Sequence, residues 1–313
     1  MDTFVFSLLN GTVYGLLLFM VSAGLTLVFG MMGVLNFAHA SFYMLGAYFA
    51  YTLQGLVGFG PAVVAATLLS GAVGVAVERW FLRRVHHHGH AHELLLTFGL
   101  SFIIAETIKL VFGNYPVDYR IPPALDFAAF TIGRQQYPAY RALIGAVAIA
   151  MFAALYLLLT RTRIGIVVRA AIYRPRMAQA LGHNVQLVFM GVFGVGAALA
   201  GLAGAVAGAF YTTNPNMALE VGVMVFVVVV VGGLGSLGGA MVASLLIGVM
   251  TSLAVSVDRS LADLLALIGA GGWAQAVGGL MTLKLSSLAA TLPFALMLLV
   301  LLVRPSGLMG EKA

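Results

Sequence analysis

Apolar runs of membrane-spanning length are what most constrain this chain. They fall at about 4–29, 36–57, 61–82, 94–113, 140–159, 187–213, 219–257 and 289–303. A helix needs roughly 20 apolar residues to cross ~30 Å of hydrocarbon. Of the 313 residues 62% are hydrophobic and 8% charged, so the polar remainder is too short for a separate soluble domain. The runs are continuous and do not alternate, which argues against a membrane β-barrel. The expected fold is all-α: one polytopic helical membrane domain over 1–313, with about 8–10 transmembrane helices. Asp2 precedes the first run with no Lys or Arg, unlike the basic start of a cleaved signal peptide, so that run reads as a retained span.

Charge sets the orientation. Arg161, Arg163, Arg169, Arg174 and Arg176 are five of sixteen basic residues, with no acidic residue among them. A second cluster, Arg79, Arg83 and Arg84, lies two spans earlier and so on the same side. Short Lys/Arg-rich loops stay cytoplasmic. Between them, residues 114–139 balance Asp118 and Asp126 against Arg120 and Arg134 and belong outside. Counting back three spans puts the N-terminus outside, and Arg304 puts the C-terminus inside. The net charge of +6 therefore marks topology and does not point to nucleic acid. For parity, the interrupted run 219–257 crosses twice, giving about nine crossings, or it bends back and the weaker run 261–283 crosses or re-enters.

Two runs are broken by glycine: GMMGVLNFAHAS (30–41), and VVGGLGSLGGAM with Gly232, Gly233, Gly235, Ser236, Gly238 and Gly239. Broken helices in corresponding halves point to a substrate path, because irregular backbone at membrane depth needs protein or a wet cavity to satisfy it. Ordinary tight turns would give the same composition. Asn36, His39 and Ser41 could line a polar constriction or hydrogen-bond freed backbone. Gly196, Ala200, Gly204 and Gly208 form one small-residue face for close helix packing.

Catalytic and nucleotide-binding signatures are missing from the sequence. It has no GxxxxGK[ST] loop, HExxH or GxSxG, and no cysteine. If ATP powers this protein, another chain binds it. Glu106 and Lys109, three residues apart on one helical face, are either a self-neutralising pair or intramembrane functional groups. Histidines 86, 87, 88, 90 and 92 could bind zinc or nickel. Only Glu93 stands close to join them in a short turn, so adventitious affinity for nickel is expected and no metal site is assigned. The Arg161–Arg176 loop could serve topology alone. Pro175 also suits a helix start, Met177, Ala178 and Leu181 make an apolar stripe, and Gly182 can end the helix. A short cytoplasmic amphipathic helix of this kind is what docking requires.

The stretches GLTLVFGMMGVLNFAHASFYMLGAY (24–48), LLLTFGLSFIIAETIKLVFGNYP (94–116), TRTRIGIVVRAAIYRPRMAQALGHN (160–184), GAALAGLAGAVAGAFY (196–211), VVGGLGSLGGAMVASLLIGV (230–249) and LLVRPSGLMG (301–310) resemble, in order, the permease subunits of branched-chain amino acid ABC importers. Ala40 and Ser41 replace the family's usual Gly and acidic residue, and HHHGHAH is atypical. The stretch 258–288 is longer than usual. The resemblance implies a multi-pass subunit of the bacterial inner membrane, without catalytic activity or a cofactor of its own. It implies a second permease, identical or distinct, two cytoplasmic ATPase subunits that bind ATP and Mg, and a periplasmic solute-binding protein. It also implies that 160–186 holds the ATPase-coupling segment, with Arg169, Arg174, Arg176, Met177, Ala180, Leu181 and Gly182 at the contact. The solutes implied are branched-chain or other hydrophobic amino acids, with amides, urea-like solutes and aromatic acids as alternatives. An ion-gradient-driven secondary transporter, coupled through Glu106 and Lys109, is the competing expectation.

Overall fold

A computed structural model describes residues 2–33, 35–132, 135–256, 260–266, 269, 271–281 and 283–310. Its helices are α1 (Asp2–Met32), α2 (His39–Val57), α3 (Phe59–Val77), α4 (His90–Phe112), α5 (Ala139–Arg161), α6 (Arg163–Tyr173), α7 (Pro175–Ala180), α8 (Val185–Ala207), α9 (Met217–Gly232), α10 (Leu237–Ser256) and α11 (Leu292–Val303). A π turn, Glu78–Leu82, carries α3 on to Val85. Among the described residues six helices are long and apolar enough to cross a membrane, and α9 with 16 residues and α11 with 12 are shorter apolar helices; α2 has 19 residues. Arg134 and Asp258 fall outside the described residues.

The interrupted run 219–257 is a helical hairpin, α9 and α10, turned at Gly233–Ser236. Its alternative, 261–283, contains no described helix longer than the seven residues of Gly271–Val277. The run therefore folds as two apolar helices, of which α10 is long enough to cross a membrane and α9 is shorter. The connection 113–138 adds an element that composition does not disclose, a two-stranded antiparallel hairpin of β1 (Ala128–Ile132) and β2 (Gln135–Pro138), with Phe130 stacked on Tyr137. In the same connection Tyr119 donates to the Ala205 carbonyl at 2.7 Å, and burial raises its phenol pKa.

Glycine sets the core. Along α1 and α10 the backbones meet directly: a Cβ on Gly15 would stand 2.6 Å from the Ser244 carbonyl oxygen. On α8 the predicted small-residue face is used in full. Gly196 meets α1, Ala200 is completely buried, and Gly204 and Gly208 meet α2 at Tyr43 and Ala47. With little hydrophobic drive between helices in lipid, such close backbone approach supplies the packing energy. The result is a central α1 and α8 clasped by α2, α3 and α10, while α4 lies at the periphery with most of its length exposed.

Candidate functional site: a largely apolar pocket where α2 begins inside the helix bundle

The first glycine break places the start of α2 deep inside the bundle. Gly33 leaves α1 with φ 66°, a left-handed conformation that glycine adopts without strain. The chain then turns back along α1. At α2's first residue, His39 Nε2 donates to the Val21 carbonyl at 2.9 Å. Val21 lies about three turns before the end of α1 at Met32, so the tip of the His39 ring reaches roughly 16 Å inside that end. Returning backbone is satisfied locally: Asn36 Oδ1 accepts from Ala38 N at 3.0 Å and Asn36 O from His39 N at 3.1 Å. Phe37 N donates to Thr97 Oγ1 on α4 at 3.3 Å.

A cavity of about 260 Å³ opens where α2 begins. Asn36, His39, Ala40 and Ser41 form one wall, α4 gives Phe98, Ser101, Phe102 and Ala105, and α9 gives Leu219, Gly222, Val223 and Phe226. Three of the expected path residues are thus brought together. The α4 and α9 walls escaped prediction, although Phe98, Phe102, Ala105 and Lys109 recur at helical spacing. Glu106 and Lys109 also line the cavity, and they pair with each other at 2.7 Å. Asn36 and His39 are only 4% and 2% exposed, yet Asn36 Nδ2 and His39 Nδ1 have no hydrogen-bond partner among the described residues. A buried unsatisfied group of this kind costs about 1–3 kcal/mol.

Gly232, Gly233, Gly235 and Ser236 are placed elsewhere, at the end of the molecule that carries the arginines. Gly30 and Gly235 stand backbone to backbone: a Cβ on Gly30 would lie 3.0 Å from the Gly235 Cα. They share a second recess, about 250 Å³, with Thr26, Met31, Leu159 and Arg169. The C-terminal strap covers the end of α9, with Leu308 N donating to Val231 O and Met309 N to Gly232 O. Ser236 Oγ accepts from Gly239 N at 3.1 Å and so caps α10. The second break is therefore a satisfied turn, separate from the cavity at α2.

The short helix of the basic loop has the bounds that Pro175 and Gly182 suggest, but the expected apolar stripe is divided, with Ala178 buried and Met177 and Leu181 exposed. Thr162 caps α6 by accepting from Gly165 N at 3.2 Å. Pro175 opens α7, and Gly182 ends it with φ 87°, His183 N reaching back to Ala178 O at 3.0 Å. Ala178 turns inward onto Ala171, Val185 and Phe189. Met177 and Leu181 turn outward, 56% and 78% exposed, beside exposed Arg174, Arg176 and Ala180. Arg169 is exposed too, and none of these three arginines forms an ion pair among the described residues.

The histidine tract packs against this same region. Glu93, 1% exposed, is held by His86 on one carboxylate oxygen and by His90 at 3.2 Å on the other. The His86 ring rests against Phe189 of α8, with centroids 6.5 Å apart. Among the described residues no group of three His, Asp or Glu is placed to hold a metal; the side chain of His87 lies outside them.

The family described as the permease component of a branched-chain amino acid transport system matches residues 7–301. The chain belongs to this family. It is 27% identical over 325 residues to the high-affinity branched-chain amino acid transport system permease protein LivH of Escherichia coli K12, covering 98% of this chain and 96% of that protein. It is 27% identical to BraD of Pseudomonas aeruginosa (97% and 95% covered) and 28% identical to a probable LivH of Methanocaldococcus jannaschii (77% and 78%). No solved structure matches. The protein is a multi-pass membrane permease of the transport type, as its six long apolar helices and its family agree.

Proposed function

We propose that this permease is one of two membrane subunits of an ATP-driven importer for branched-chain or other apolar amino acids. The family match over residues 7–301 carries this reading. The named solute of the bacterial relatives supplies the substrate class. In this reading a periplasmic binding protein delivers the solute, and two cytoplasmic ATPase subunits bind ATP and Mg. This chain contributes no catalytic group. The arginine-bearing end faces the cytoplasm, because its cluster is costly to translocate. That orientation puts the N-terminus outside and the C-terminal strap inside.

The cavity at α2 is the solute's station within the membrane, and the Gly30–Gly235 contact is the constriction beneath it. The exposed side chains of α7 meet the ATPase. Closure of the ATPase pair is passed through α6 and α7 to the start of α8, alternating access to the cavity. The Glu106–Lys109 pair, closed on itself, supports no ion coupling. The test is purification from native membranes in gentle detergent, followed by uptake in reconstituted vesicles. Recovery of two ATPase chains and a second permease, with uptake that requires ATP and the binding protein, is expected. Uptake that survives without the ATPase but collapses with the ion gradient would overturn the proposal.

A further inference from the structure

We propose that the start of α2 is a receptor for the two charged groups of an apolar α-amino acid, the carboxylate at the Asn36 amide and the ammonium at His39 Nδ1. The proposal rests on the importer reading and specifies its solute site.

Two independent observations carry it. The first is the helix end itself. α2 is 19 residues long; its N-cap residue Ala38 makes no side-chain cap, and the end is held by Asn36, whose Oδ1 and carbonyl accept from Ala38 N and His39 N. Its start lies deep in the bundle on the wall of the cavity. A helix N-terminus carries a partial positive charge and favours an anion, and that preference is strongest where water is scarce. The second is the pair of polar atoms left without partners. Asn36 has committed its Oδ1 to Ala38 N, which leaves the Nδ2 hydrogens as unused donors. His39 has committed Nε2 to the Val21 carbonyl. A carbonyl only accepts, so Nε2 carries the hydrogen, and Nδ1 of the neutral ring is an unused acceptor.

An unused donor and an unused acceptor, three residues apart beside a helix N-terminus, are the complement of a zwitterion. A carboxylate takes the Asn36 hydrogens at the positive end, and an ammonium gives a hydrogen to His39. Phe98 and Phe102 from α4, with Val223 and Phe226 from α9, offer the apolar surface for a branched side chain. The volume of about 260 Å³ falls just below the range of about 300–1,000 Å³ usual for drug-sized ligands, which suits a single amino acid. Lys109 and Glu106 do not compete as receptors, because they neutralise each other at 2.7 Å. A solute with only one of the two charges leaves either the donor or the acceptor unsatisfied, and that penalty gives the site its selectivity.

The chain has no cysteine, so Ala105→Cys, on the α4 wall, places its only thiol in the cavity. In the assembled complex in membranes, the rate of labelling by a methanethiosulfonate reagent is measured with leucine, with 3-methylbutylamine (leucine without its carboxylate) and with 4-methylpentanoate (leucine without its ammonium). Leucine is expected to slow labelling on the order of tenfold, and neither analogue to do so, because each loses a charged hydrogen bond. Asn36→Asp, the same shape with the donor replaced by a negative charge, is expected to abolish protection. Equal protection by leucine and the amine overturns the carboxylate role, equal protection by leucine and the acid overturns the ammonium role, and no protection by leucine overturns the receptor. Should Asn36→Asp fail to assemble, the analogue series decides alone. Uptake is measured on the same membranes with and without the ATPase partner. ATPase-dependent uptake without protection refutes only this receptor, whereas ATPase-independent uptake refutes the importer reading itself.

Discussion

Replacing Met177 and Leu181 together with serine tests the docking surface most directly. Both project from α7 into open space, 56% and 78% exposed, while their neighbour Ala178 fills the interior. Fully burying a Leu or Met side chain is worth about 1.5–3 kcal/mol. Scaled by the exposed fractions, covering both with an ATPase surface gains about 2–4 kcal/mol. Ordering the two side chains costs roughly 0.5–1.5 kcal/mol each. A net loss of about 1 kcal/mol per docked α7, and at most about 3 kcal/mol, is therefore expected in the variant, centred on a weakening of roughly fivefold. Association of the purified ATPase subunit with the permease in nanodiscs, titrated by fluorescence anisotropy, reads this directly. Thermal stability of the permease alone should be unchanged, since neither side chain is part of its core. An unaltered dissociation constant would refute the reasoning and leave α7 as a topological marker.

Arg174→Glu with Arg176→Glu should weaken the same association and cut uptake, more strongly at low salt, because these exposed charges act through screened long-range attraction. Membrane insertion should persist, since Arg161, Arg163 and Arg169 still mark the loop; protease accessibility of that loop from the cytoplasmic side checks this. Gly204→Ala should lower the melting temperature in detergent by an amount matching about 1–3 kcal/mol, because the new Cβ falls on the Tyr43 carbonyl oxygen. Gly191→Ala on the same helix, where nothing lies within 4 Å, should not lower it. Glu93→Ala should cost no more than about 1 kcal/mol, because the His86 and His90 side chains it releases are 41% and 75% exposed and turn to water. His92→Ala, whose ring meets only His88 among the described contacts, should leave the melting temperature within error.

The apolar runs and the turn residues were enough to read the helical membrane fold and the bounds of the short helices in the basic loop. Thr162, Pro175 and Gly182 act through bonds to near neighbours, so their roles in bounding α6 and α7 are legible from sequence. The glycine breaks were legible as breaks but not as places. Only tertiary packing decided that the Asn36–Ser41 segment returns along α1 as far as Val21, while the Gly232–Ser236 turn stays at the arginine-bearing end under the C-terminal strap. The α4 and α9 walls of the cavity were hidden for a related reason. A soluble helix declares its buried side by an apolar stripe, whereas α1, α4, α5 and α9 carry no such stripe. Lipid and protein interior accept the same residues. Which face of such a helix meets a neighbour is therefore set by close backbone contact, as at Gly15 and Ser244, or Gly204 and Tyr43. Those contacts exist only once the helices have been brought together.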